Sequence, residues 1–140
     1  MKVFLDTNVL VSATATRGLC ADVLREVLSS HHLIVSDPLF IELKRILLDK
    51  FNVPIDLIAE LIEILKQDAQ VSIPVDLPDI DIKDKDDIII LLSALNGNAE
   101  VFITGDKELL NLHKVKNMEI VSPRMFWEKL KAQHNLSNSD

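Results

Sequence analysis

The sequence predicts an α/β protein, a three-layer α/β/α sandwich with a central parallel sheet. Two observations carry this. Short apolar runs that read as strands alternate with longer segments of helical spacing. Those runs are apolar on both faces, as strands covered by helices on both sides must be.

The elements follow in chain order. Residues 2 to 6 read as a short buried strand, and residues 8 to 13 as one or two helical turns. Residues 17 to 30 carry helical spacing through Leu19, Val23, Leu24, Val27 and Leu28. Leu33 to Val35 is a strand. Ser36 then caps a helix running to Phe51, with Pro38 in its first turn. Pro54 opens a helix to Asp68 whose stripe is Leu57, Leu61, Ile62 and Leu65. Val71 to Ile73 is extended, and residues 74 to 86 form a loop-like insert with Pro74 and Pro78. A helix runs from Asp84 or Lys85 to Asn96 and is ended by Gly97. Glu100 to Thr104 is a strand, residues 106 to 112 a short helix, and Glu119 to Val121 a last strand. Ser122 and Pro123 cap a closing helix that carries Phe126, Trp127 and Leu130. The expected organisation is a single domain over residues 1–133, with a polar tail over 134–140 that frays.

Composition narrows the function. With 140 residues and 48% hydrophobic content, the chain can bury a full core without a metal or disulfides. No apolar run reaches the roughly 18 residues of a membrane span. The apolar stretch after Lys2 stops at Asp6, unlike a signal peptide. A soluble cytoplasmic protein without membrane partners is expected. The single Cys20 allows no internal disulfide and, among Leu19, Val23 and Leu24, reads as a core residue. The net charge of −7 argues against general nucleic-acid affinity. It fits a metal site, a basic partner, or solubility alone.

The chemistry lies in misplaced acids. VFLDTN and VFITGD each end an apolar strand in a carboxylate, Asp6 and Asp106. In parallel sheets, ligands bind beyond the carboxyl ends of the strands. On the helix after Ser36, Glu42 falls about 100° from Leu43, on the border between core and solvent. On the later helix, Asp87 projects onto the inward stripe of Leu91, Ala94 and Leu95, whereas Asp86 projects almost opposite, beside Ser93. A buried acid is costly unless it is paired or binds metal. If the strands of Asp6 and Asp106 are neighbours, the four acids can converge, raise one another's pKa and attract Mg²⁺ or Mn²⁺ as hard oxygen ligands. Thr7, Asn8, Thr104 and Gly105 can steady the carboxylates by hydrogen bonds. Turn chemistry at strand ends explains them equally well, although Asn8 favours a site role. Histidine chemistry is not indicated: His31 and His32 adjoin a helix end, His113 lies in a polar turn and His134 in the tail.

The set DTNVLVSA, SDPLFIEL and DKDDIIILLSALNGNAEVFITGDKELL resembles the PIN domain. It is most similar to the VapC-type group, small bacterial and archaeal ribonucleases described as toxins of toxin–antitoxin pairs. The resemblance spans nearly the whole chain. It implies an α/β/α sandwich whose acids bind Mg²⁺ or Mn²⁺ and hydrolyse RNA phosphodiesters, leaving 5′-phosphate and 3′-hydroxyl ends. Asp6 is then the first-strand acid, Glu42 the helical acid, Asp87 the third and Asp106 the fourth, with Asp86 the nearest competitor for the third role. The resemblance also implies a homodimer and a small antitoxin that blocks the site. For RNA contact, local positive charge would come from Arg17, Lys44, Arg45, Lys85 and Lys107. Two other readings stand beside it. One is a non-catalytic PIN-like module that binds RNA or protein. The other is an Asp-nucleophile phosphatase of the haloacid dehalogenase type, against which Asn8 occupies the place of that class's second acid.

Overall fold

The computed structural model describes residues 1–74 and 84–137, with side chains through residue 134. The elements are β1 (Lys2–Leu5), α1 (Thr7–Ala15), α2 (Leu19–Ser30), β2 (His32–Ser36), α3 (Asp37–Phe51), α4 (Ile55–Lys66) and β3 (Gln70–Ser72). Then come α5 (Lys85–Asn96), β4 (Val101–Ile103), α6 (Lys107–Leu110), β5 (Lys114–Val115), β6 (Met118–Val121) and α7 (Pro123–Ser137). Most of the expected insert, residues 75–83, lies outside the described residues.

The sheet order is β3-β2-β1-β4-β6-β5. All neighbours pair in parallel except β5, which returns antiparallel along β6 at the edge. Glu119 to Val121 is the expected last strand, but it does not stand alone on its outer side. Lys114 pairs with Glu119 and Val115 with Met118 in a short hairpin. The connection over residues 116 and 117 is made by Lys116 at a φ of 52°. A strand as short as β5 leaves no alternating pattern to read.

Chain direction explains where a site can form. From β1 the chain moves outward to β2 and β3, then α5 carries it back across to β4 on the other side of β1. Right-handed crossovers put outward and return connections on opposite faces. The order therefore reverses between β1 and β4, the position at which such sheets open a crevice. Register there is fixed by Phe4 opposite Phe102, whose rings stack with centroids 5.5 Å apart and an interplanar angle of 5°.

The helices sit largely where their spacing predicts, with local shifts. Helix α1 begins one residue earlier than expected and runs on to Ala15. In α4 the buried face turns by one residue: Ile58 and Leu65 are buried, while Leu57 is 53% exposed. Ile58 and Leu65 are seven apart and share a face, which leaves Leu57 on the outer side. Cys20 packs against the core but is only partly buried. Helix α7 continues to Ser137, into the segment expected to fray, and residues 138–140 lie outside the described residues. Among the described residues, no helix is long and apolar enough to cross a membrane.

Helix α5 is buried over a wider arc than one stripe. Ser93, expected beside Asp86 on the outer face, is fully buried. Its carbonyl accepts from Ser72 Oγ at 2.7 Å, and its own hydroxyl donates to the Ile89 carbonyl at 3.0 Å. Gly97 ends α5 as expected, but not through left-handed backbone, since its φ is −77°. The left-handed residue is Asn98, at φ 59°. Gly97 is required by closeness instead. A Cβ there would lie 2.6 Å from Ile34 Cγ2 and 3.3 Å from Ser72 Cβ. Ile34 is fully buried in β2 and has nowhere to move. Gly97→Ala should therefore destabilise the fold by about 1–3 kcal/mol through overpacking, read as a lower urea midpoint with an unchanged slope.

Candidate functional site

The crevice between β1 and β4 is lined by carboxylates that also serve as helix caps. Asp6 follows β1 and is the N-cap of α1; its Oδ1 accepts from the Thr7 backbone N–H at 2.8 Å. Aspartate is favoured there because its oxygens satisfy amides that the first turn leaves unpaired. Asp106 follows β4 and caps α6, accepting from the amides of Glu108 and Leu109. One hydroxyl joins the two. Thr104 Oγ1 donates to Asp6 Oδ2 at 2.7 Å and accepts from the Asp106 amide at 3.0 Å. The Asp6 amide in turn donates to the Ile103 carbonyl at 2.9 Å.

Glu42 and Asp87 approach from helices. Glu42 is half-buried on α3, at the border where its helical projection puts it. On α5, Asp87 is half-buried and Asp86 exposed, as the projection predicts. Burial and neighbouring acids act on Asp6, Glu42 and Asp87. Burial pushes the Asp6 carboxyl up, against the hydrogen bonds from Thr104 and Thr7, and Asp106 adds to the rise. Burial and then Asp6 raise Glu42, while Arg45 pulls it back. Asp87 is raised to about 7, by burial first, then by Asp84, Asp6, Asp106 and Glu42.

Asp84 is the acid that sequence reading missed. It is the N-cap of α5, accepting from the Asp86 amide at 2.9 Å, and it is the charge that acts most on Asp87. The signal was available: an aspartate immediately before a helix caps it, and three residues bring it round to the face of Asp87.

The other nominated residues divide. Thr104 and Thr7 are fully buried beside Asp6, whereas Asn8 and Gly105 are exposed. Arg45 lies with Glu42 and Asp86 along an open groove of about 360 Å³ between α3 and α5, lined also by the exposed Ile41 and Ile89 and the buried Ile90. Lys44 does not join them. One residue further round α3, it lies against Ile55, Ile58 and Ala59 of α4. Arg17, Lys85 and Lys107 are exposed, with Lys85 and Lys107 opening the helices that Asp84 and Asp106 cap.

Chemically, the crevice holds hard oxygen donors whose charge is offset by little more than Arg45, and such a set suits a divalent cation. Among the described residues, no three acids stand together as a ready-made metal cluster.

A family model described as PIN domain matches residues 2–108. Among solved structures, the chain is similar to VapBC2 from Rickettsia felis, a crystal structure bound to a DNA fragment from its promoter. The TM-score is 0.58 at 13% identity, over 87% of this chain and 98% of that one. It is also similar to VapBC-1 from nontypeable Haemophilus influenzae, at a TM-score of 0.59 and 19% identity, over 89% and 99%. Likeness at such identities establishes the fold. Comparison with curated proteins gave no match.

The raised Asp87 sets a pH dependence. A carboxyl ordinarily near 3.8 that titrates at about 7 binds its proton more tightly when folded. In the window between those values the folded state holds more protons than the unfolded state, so stability falls as pH rises. Metal-free protein should lose thermal stability across that window. Asp87→Asn should flatten the loss and raise the melting temperature above pH 7. Melting curves in EDTA across the window check this, and a variant that follows the parent at every pH would contradict it.

Proposed function

This chain belongs to the PIN-domain family, and on that premise we propose that it is a metal-dependent endoribonuclease, the toxin of a toxin–antitoxin pair. The observation that carries this reading is that Thr104 bridges Asp6 and Asp106 at the switch point of the sheet, while the charges of Asp6, Asp106 and Glu42 all act on Asp87. These four acids would hold Mg²⁺ or Mn²⁺, with Asp84 and Asp86 at their margin. When bound, such an ion supplies Lewis-acid activation of water and neutralises phosphate charge.

The chain's own residues do the rest. Thr104 holds the Asp6 carboxylate in one orientation by donating to Oδ2, leaving the remaining lone pairs directed outward. Asp106 is held by two amides of α6, so neither strand-end acid swings freely. Lys107, Lys85, Arg45 and Arg17 are the cations available to the RNA backbone, and they compensate locally for a net charge of −7. Lys44, turned toward α4, is left out of this set.

The groove between α3 and α5 supports the antitoxin partner. Ile41 is 68% exposed at its edge, and Glu42 and Asp86 line it. An apolar segment carrying a basic side chain suits that chemistry, and it would cover the acids. We extend the reading to a cytoplasmic protein acting as a homodimer.

Substitution tests the core of the proposal. Asparagine caps a helix as well as aspartate, so Asp6→Asn should keep the fold while removing a ligand charge. Asp6→Asn or Asp106→Asn should lower RNA cleavage by about a hundredfold or more, with melting unchanged within a few degrees. EDTA should abolish cleavage and Mn²⁺ restore it. Full activity in either purified variant would exclude these acids from the chemistry. Absence of both cleavage and Mn²⁺ binding would favour a non-catalytic binding module.

A further inference from the structure

Thr7 carries a hydroxyl that the resting structure does not use. Its Oγ1 is buried and has no hydrogen-bond partner among the described residues. The other threonines near it behave differently. Thr14 Oγ1 donates to the Leu10 and Val11 carbonyls at 3.1 Å, and Thr16 Oγ1 to the Ser12 carbonyl at 2.6 Å, each within α1 or at its end. Thr7 has no such outlet. It is the first residue of α1, and the residue four before it is Val3, in β1. A buried hydroxyl without a partner is unfavourable. His31 also has orphaned ring nitrogens, but it lies at the opposite end of the sheet, edge-on to Phe126 at 5.8 Å. Thr7 lies beside Asp6, where its backbone amide already serves the carboxylate.

Glu42 is the matching acceptor. It comes from α3, which packs on α1, and it is half-buried and close enough to feel the charge of Asp6. No hydrogen bond holds its carboxylate in the described structure, in contrast to Asp6 and Asp106. Among the described residues, the acids form no ready-made metal cluster.

We propose that Thr7 is a positioning residue whose hydroxyl donates to the Glu42 carboxylate when the acids gather around a divalent cation. The inference rests on the metal-dependent reading above. Hydroxyl and carboxylate are then two halves of one hydrogen bond that forms only in the gathered state. The buried cost at Thr7 is relieved at that moment, so it adds to the apparent metal affinity.

The test measures Mn²⁺ binding by calorimetry and melting with and without EDTA, for the parent, Thr7→Val and Thr7→Ser. Valine keeps the shape and removes the donor. Thr7→Val should bind Mn²⁺ about tenfold more weakly, while its melting temperature in EDTA stays level or rises. Thr7→Ser should restore binding to within about twofold, a rescue by the hydroxyl alone. Equal Mn²⁺ affinity in Thr7→Val would overturn the proposal. So would a fall in melting temperature of the same size with and without metal, which would mark a purely structural hydroxyl. If the parent itself binds no Mn²⁺, the metal-dependent reading fails and takes this inference with it. If the parent binds and Thr7→Val does not weaken it, only the role of Thr7 fails.

Discussion

The hydroxyl of Thr104 is the interaction on which the site depends. It stands between the ends of two adjacent parallel strands, donating to the carboxylate of one and accepting from the amide that follows the other. Everything around it serves to keep those strand ends in register. Phe4 and Phe102 stack one residue further in, and the amides of Asp6 and Thr104 each bond to the carbonyl of a neighbouring strand. The apolar sheet is therefore a ruler that sets the separation of two acids. Packed interiors suit that purpose because they resist small displacements.

The same packing makes the acids unstable company. Asp6 is 5% exposed, and a carboxylate so deep is tolerable only because amide and hydroxyl donors reach both of its oxygens. Among the described residues, no hydrogen bond reaches the Glu42 or Asp87 carboxylate, and burial raises both. The resting protein thus stores electrostatic repulsion that a cation would relieve, a common arrangement where stability is given up for function. Helix capping softens the cost. Asp6, Asp84 and Asp106 each satisfy amides that an apolar residue would leave open, so these residues also help to fold the chain.

Much of this was legible before any coordinates. Alternating apolar runs specify a covered parallel sheet because buried strands cannot afford polar positions on either face. The choice of Asp87 over Asp86 needed only the angle per residue of a helix. Other features depend on what lies across space. Leu57 and Ile58 look alike in sequence, and only the tilt of α4 against α3 decides which is buried. Lys44 and Arg45 are adjacent cations of which one serves the groove and the other an unrelated helix contact. The glycine that ends α5 is identified easily as a stop, but its reason, the closeness of Ile34, is a tertiary fact. Asp84 precedes the first helical residue, so the inward stripe of α5 does not include it and only its capping position marks it.

The bond from Thr104 to Asp6 spans 98 positions in the chain. During synthesis, Asp6, Glu42 and Asp87 leave the ribosome well before the hydroxyl that orients the first of them. Chains grow at about 5–20 residues per second, so for several seconds the nascent polypeptide carries acids without a site. β4 must also add beside β1 after β2 and β3 have been made and before β5 and β6 exist. The crevice thus becomes competent late in synthesis, and a truncated chain ending before residue 104 would carry Asp6, Glu42 and Asp87 without the hydroxyl that orients the first of them.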